Sequence, residues 1–207
     1  MARLSRAVLD SKPLEPSIKA EAYYYLGMVC HLRDQQEQAL ALFRNARNED
    51  PEYSFPARGM ARVHIRRGEV SAAVEALESI EEANNADLEV LVGLSVLYKA
   101  LGESQKAVQF AQRALAIDKG NILLEEYLAN LLAGLDSKKA LGHFDRVMRR
   151  KEGDGKGAER VLMVNNAAVM HYQCGEHGKA LGIFQKALKL AENTVYSFPI
   201  RYNIARC

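Results

Sequence analysis

Net charge is almost missing from this chain: lysine and arginine exceed aspartate and glutamate by only two over 207 residues. So small an excess gives no bulk attraction to nucleic acid or to a membrane surface. Long apolar runs are absent as well, which excludes a bilayer-spanning helix, and the opening MARLSRAVLD carries charge where a secretory leader needs an apolar segment. Cysteine is scarce and odd in number, with Cys30, Cys174 and Cys207 alone. That excludes a disulfide framework and fits a reducing, intracellular setting, with Cys30 and Cys174 expected on buried helical faces. Assembled chemistry is missing too. His171, Cys174 and His177 stand three apart in HYQCGEH, but a closed zinc site takes four ligands and Gly175 interrupts the helix between them. GDGKG lacks the GKS or GKT ending of a phosphate loop, and no strand precedes it. No metal, no cofactor and no catalytic group are expected, so the chain reads as a non-enzyme.

What is present is a period. Ala39, Ala73 and Ala107 stand 34 residues apart, the interval of a tetratricopeptide repeat. Such a unit is a helical hairpin that cannot bury its apolar face alone, so the expected fold is an all-α solenoid of antiparallel hairpins whose product is a surface. In residues 20–53, Tyr23, Leu26, Gly27 and Cys30 recur on one helical face, while Ala39, Phe43 and Ala46 form the facing stripe. Asp34 sits in the turn, and Pro51 lies just past the second helix. Residues 54–87 keep Gly68 and Ala73 but put Leu77 where the first unit has Phe43. Residues 88–121 keep Gly102 and Ala107 but carry Ala111 there, which predicts a locally thin interface. In residues 121–150 the small residue, Ala140, arrives one position early and predicts a tightened turn near Gly134 to Ser137.

The period then breaks. Residues 151–160, KEGDGKGAER, are polar and hold three glycines, which predicts a loop insertion before a fifth unit over 161–194 with Ala168, Gly175, Ala180 and Phe184 in register. Residues 1–19 resemble the second half of a preceding unit, and residues 195–207 the first helix of a truncated one. An excised stretch of a longer array is expected, with end-to-end association where faces lack their neighbours.

In such arrays the first helix of each hairpin lines the concave groove. Its second, fifth, ninth and twelfth positions give Glu21, Tyr24, Met28 and His31 in the first unit, then Phe55, Arg58, Arg62 and Ile65. The third contributes Glu89, Val92, Val96 and Lys99, and the fourth Ile122, Glu125, Ala129 and Leu132. Leu162, Asn165, Val169 and Tyr172 follow from the fifth. Apolar side chains on a face that would otherwise meet water mark a partner site. Arg58, Arg62 and Arg66 share one helix face, offering a contact for an acidic segment or a solvated basic stripe.

AEAYYYLGMVCHLRDQQEQALALFRNA, DPEYSFPARGMARVHIRRGEVSAA, NADLEVLVGLSVLYKALG and VLMVNNAAVMHYQCGEHGKALGIFQKAL, ending in YNIARC, together cover nearly the whole chain. They resemble, in order, the central repeats of the tetratricopeptide scaffold subunit of the RNA polymerase II-associated factor complex. The resemblance implies a nuclear protein that holds other subunits of an elongation complex by wrapping their segments, meets RNA polymerase II indirectly, and supports co-transcriptional histone modification. The glycine-rich stretch after Val147 and the short connection from Asn193 to Pro199 depart from that family and suggest a divergent member. A generic adaptor in a ubiquitin ligase or transport complex shares the fold. A chaperone adaptor would capture a C-terminal carboxylate with lysine, asparagine and arginine at set first-helix positions, two of which Tyr24 and Met28 hold, so that clamp is not built in the first unit. An RNA-binding repeat would need a basic groove with stacking aromatics, which Glu21, Glu89 and Glu125 oppose.

Overall fold

The computed structural model describes residues 15–82, 87–150, 158–191 and 194–207. They are all-α, and they belong to two compact units, Met1–Phe110 and Ala111–Cys207. In the first unit α1 (Pro16–Leu32) packs on α2 (Gln36–Glu49), and α3 (Phe55–Arg66) on α4 (Val70–Glu82). Helix α5 (Leu88–Ala100) follows, then α6 (Ser104–Ile117), inside which the unit boundary falls. The second unit pairs α7 (Ile122–Leu132) with α8 (Ser137–Arg150) and α9 (Ala158–Gln173) with α10 (His177–Leu190), and α11 (Ser197–Arg206) packs on α10.

Two expected boundaries move. Pro16 opens α1, so residues 16–19 belong to the first hairpin, while residues 1–14, the rest of the expected half-unit, lie outside the described residues. Helix α9 begins at Ala158, three residues inside the stretch expected to be a loop, of which 151–157 also lie outside the described residues.

The turns explain the period. Asp34, Gly68, Gly102 and Gly175 all adopt left-handed backbone, with φ of 62°, 74°, 80° and 80°. This conformation suits glycine and is tolerated by aspartate. It lets the next N–H reach back five residues at 2.9 Å: Gln35 to Cys30, Glu69 to His64, Glu103 to Tyr98 and Glu176 to His171. In the fourth hairpin Asp136 N–H instead bonds the Leu132 carbonyl, four back, at 2.8 Å. One residue is lost in that turn, as the early Ala140 predicts.

Side chains bolt two of these turns. His64 Nδ1 meets Glu69 Oε2 at 2.6 Å, and His171 Nδ1 meets Glu176 Oε2 at 2.7 Å. Hydrogen bonding from His64, and from His171 with Lys179, holds the carboxyls of Glu69 and Glu176 below the ordinary 4.5.

Packing in the first unit turns on residue size. A Cβ on Gly27 or Gly59 would fall 2.6 Å from the Phe43 ring, so α1 and α3 both yield space to one aromatic side chain. One repeat on, the smaller Leu77 takes the place of Phe43, Ala61 replaces Gly27, and Gly93 meets Leu77. The core of the second unit gathers Val147, Val161, Ala168, Phe184 and Ile200. Cys30 and Cys174 are half-buried rather than buried, because each lies at the end of its first helix beside the open turn.

Candidate partner-binding surfaces

The expected groove residues of the first unit stand on α1, α3 and α5. Tyr24 is half-buried, its ring 5.9 Å from that of Phe43 and 5.8 Å from those of Tyr53 and Phe55. Burial pushes the Tyr24 and Tyr53 hydroxyls above their ordinary range, so this cluster stays neutral. Met28 and Val92 are half-buried, whereas Phe55, Ile65 and Val96 are about half exposed, at 48%, 51% and 49%. Lys99 is exposed. His31 is half-buried, its Nδ1 3.0 Å from Gln36 Oε1.

The arginine stripe is neither free for an external acid nor merely solvated. Arg58 donates through Nη2 to Asp87 at 2.8 Å and through Nη1 to Glu89 at 3.0 Å, with its guanidinium 5.4 Å from the Phe55 ring centre. Arg62 donates to Glu89 at 3.0 Å, and Arg66 lies 3.6 Å from Asp34 and donates to the His31 carbonyl. The acidic partners flank α3 in the same compact unit, Asp34 in the turn after α1 and Asp87 and Glu89 at the start of α5. Burial works to raise the Asp87 carboxyl, yet hydrogen bonds from Arg58 and from the Val90 N–H bring it below its usual value. Asp87 also caps α5, its Oδ1 accepting from Val90 N–H at 3.1 Å. Reading the sequence for charge stripes missed this residue. An aspartate immediately before an apolar helix was the available signal.

In the fourth hairpin the expected register is off by one. Asn121 caps α7 as Asp87 caps α5, accepting from Leu124 N–H at 3.0 Å, and the two caps stand 34 residues apart. The helix therefore keeps the period and only the turn shortens. Starting the unit at Asn121 places Glu125, Ala129 and Leu132 on the groove, but they are buried, at 3%, 0% and 4% exposure. Glu125 is paired with Arg146, with His143 3.4 Å away. Residues one place on, Leu123 and Asn130, are the exposed ones, and Leu123 reaches 71%.

On α9 the expected residues converge. Asn165 Oδ1 accepts from Asn203 Nδ2 at 3.2 Å, and Tyr172 sits 4.8 Å from the His177 ring, edge to face. Val169 and Tyr172 are half-buried and, with Gln173, Phe184, Asn203 and Arg206, line a hollow of about 150 Å³. Leu162 lies 43% exposed on the same helix. His171 has Asp145 3.4 Å from Nε2 and Glu176 on Nδ1, so it is built into the turn. Among the described residues no group of three His, Cys, Asp or Glu could hold a metal ion, and none of the helices is long and apolar enough to cross a membrane.

Models of the tetratricopeptide repeat match residues 20–45, 34–91, 88–121 and 163–195. The chain is a tetratricopeptide-repeat protein, and the expected all-α hairpin solenoid holds as its fold class. Its curated relatives include the protein CTR9 homolog of Arabidopsis thaliana, 27% identical over 82% of this chain and 16% of that protein. The RNA polymerase-associated protein CTR9 of Caenorhabditis elegans is 24% identical over 92% of this chain and 19% of its own length. The chain thus spans under a fifth of these relatives. Among solved structures, YrrB, described as a TPR protein with an unusual peptide-binding site, superposes with a TM-score of 0.78 at 19% identity, covering 98% of this chain and 100% of that one. That likeness shows the fold alone.

Proposed function

We propose that this chain is a scaffold segment of a CTR9-like protein, holding segments of other subunits in an assembly associated with RNA polymerase II in the nucleus. A tetratricopeptide fold is suited to protein interaction, and no assembled catalytic group is found among the described residues. The observation that carries the finer reading is the CTR9 similarity running through 92% of the chain at 24% identity rather than one repeat. Partner-facing roles fall to Tyr24, Met28, His31, Val92, Val96 and Lys99 in the first unit, and to Asn165, Val169 and Tyr172 in the second. Arg58 and Arg62 order that first surface through Asp87 and Glu89, and Glu125 supports α7 from within. Self-association of the chain rests on the exposure of Val195, just before α11, and of Phe198 in its first turn, at 84% and 78%. The test is affinity purification of the natural protein from nuclear extract. Recovery of RNA polymerase-associated subunits is the expected result, and their absence overturns the assignment.

A further inference from the structure

We infer that the hollow between α2 and α4 is a docking site for a phosphorylated serine or threonine of a partner protein, held by Arg44, Arg47 and His64. It lies apart from the groove. Met60 and His64 enter it from the face of α3 opposite Arg58 and Arg62. The site therefore opens between the second helices of two hairpins and goes beyond the reading of the first helices as partner-facing.

Two histidines occupy equivalent places in the two units. His64 stands four residues before the left-handed Gly68 and His171 four before Gly175, and each has the glutamate of its turn on Nδ1. A carboxylate accepts, so Nδ1 carries the proton and Nε2 is left over. In the second unit that nitrogen is answered, because Asp145 of the preceding second helix lies 3.4 Å from it. Asp145 stands five residues past Ala140, and the residue five past Ala39 in the first unit is Arg44. The carboxylate has become a guanidinium. Three residues on, Met148 has its counterpart in Arg47.

No internal acid replaces Asp145 there. Among the described residues no carboxylate pairs with Arg44 or Arg47, and His64 has Glu69 on Nδ1 alone. The two arginines stand about one helical turn apart on α2 and, with His64, border a hollow of about 280 Å³. Glu75 borders it too, without pairing with either guanidinium. Two guanidiniums against one carboxylate leave this rim net positive. A phosphomonoester, with nearly two negative charges and three acceptor oxygens, draws about twice the attraction from it that a carboxylate does. Its oxygens match two guanidinium forks and one imidazole nitrogen. Nε2 meets the phosphate as an imidazolium N–H or, when neutral, accepts from a protonated phosphate oxygen. Met60 and Ala76 supply an apolar floor for the short stem between phosphate and backbone. No Phe, Tyr or Trp is among the described residues lining the hollow. RNA finds no stacking platform there beyond His64, so a phosphorylated protein segment is the favoured source.

The test uses the whole 207-residue chain and end-blocked, fluorescein-labelled peptides in which one phosphoserine, serine or glutamate stands in a neutral glycine-alanine frame, followed by anisotropy. Saturable binding of the phosphoserine peptide is expected, weakened about tenfold for the glutamate peptide and lost for the serine peptide. A single-stranded RNA oligonucleotide should not displace it. Arg44→Gln and Arg47→Gln should each weaken binding about tenfold at unchanged thermal midpoint, and Arg44→Lys should retain part of it. Arg44→Asp should abolish it by giving His64 the acid that His171 has. In NMR of the unchanged chain, the phosphoserine peptide should shift the His64 ring signals and leave those of His171 in place. No saturable binding, equal binding of the phosphoserine and glutamate peptides, displacement by RNA, or unchanged binding by Arg44→Gln and Arg47→Gln overturns the site. If the phosphopeptide fails while polymerase-associated subunits are still recovered, only this site falls. If it binds while those subunits are absent, the site stands and the polymerase assignment falls.

Discussion

Phe43 fills a space that two glycines keep open, and this sets how the first unit tolerates change. Gly27→Ala should destabilise it by about 1–2 kcal/mol, the overpacking cost less the helix-propensity gain, read as a lower denaturant midpoint. Adding Phe43→Leu should recover much of that loss, because the pair then copies Ala61 and Leu77 of the next repeat. A double variant no better than Gly27→Ala alone would contradict the size matching. Gly182 lies in the interior of α10, where an added Cβ would meet nothing within 4 Å, so Gly182→Ala should stabilise by about 0.5–1 kcal/mol. At Asp34, left-handed with φ of 62°, Asp34→Gly should gain about 1 kcal/mol by relieving the same strain that glycine avoids in the other turns. Calorimetry on these variants separates the three effects.

Hairpins here are held by their ends as well as their faces. Asp87→Ala removes a cap worth about 1–2 kcal/mol and leaves the largely buried Arg58 short of an acid, so its cost should exceed that of Glu89→Ala in urea unfolding. The His64–Glu69 and His171–Glu176 bolts make a pH dependence. Both carboxyls are held below 4.5 when folded, so the unfolded chain takes up protons first as pH falls. Stability from these bolts is therefore complete above about pH 4.5 and is lost as pH drops through the folded values. Replacing both histidines by glutamine should flatten that part of the stability profile, and an unchanged slope would show that the bolts carry none of it. His143 acts higher on the scale. Burial, followed by the Arg146 charge, holds its imidazole below 6.5. The unfolded chain is then protonated first, and the second unit should lose stability as pH falls from about 6.5. His143→Gln should remove that slope, as monitored by NMR of second-unit amides.

For the whole molecule, the exposed Val195 and Phe198 predict concentration-dependent self-association, which Phe198→Glu should reduce in light scattering. A monomer at all concentrations with the unchanged chain would set that prediction aside. How much of this was legible beforehand depended on whether a signal was local. The 34-residue recurrence of Ala39, Ala73 and Ala107 records a contact made in every hairpin, so the fold class, the helix count per unit and the short fourth turn could be read from spacing. The site was legible only in part. Tyr24, Val96, Asn165 and Tyr172 stand on helix faces set by periodicity, but the fourth unit was framed one residue early. A single missing residue can be lost in a turn or at a helix start, and the Asn121 cap is what distinguishes them. Long-range pairing left no periodic trace. Nothing in RGMARVHIRR says that Arg58 finds Asp87, 29 residues on, because that pairing exists only once α3 and α5 have packed. The sequence by itself determined the repeat and its hairpins, through helical periodicity and turn chemistry that act within a few residues. Only the tertiary structure decided which charges are answered inside the protein, as Arg58 is by Asp87 and Glu89, since that depends on distances between helices far apart in the chain.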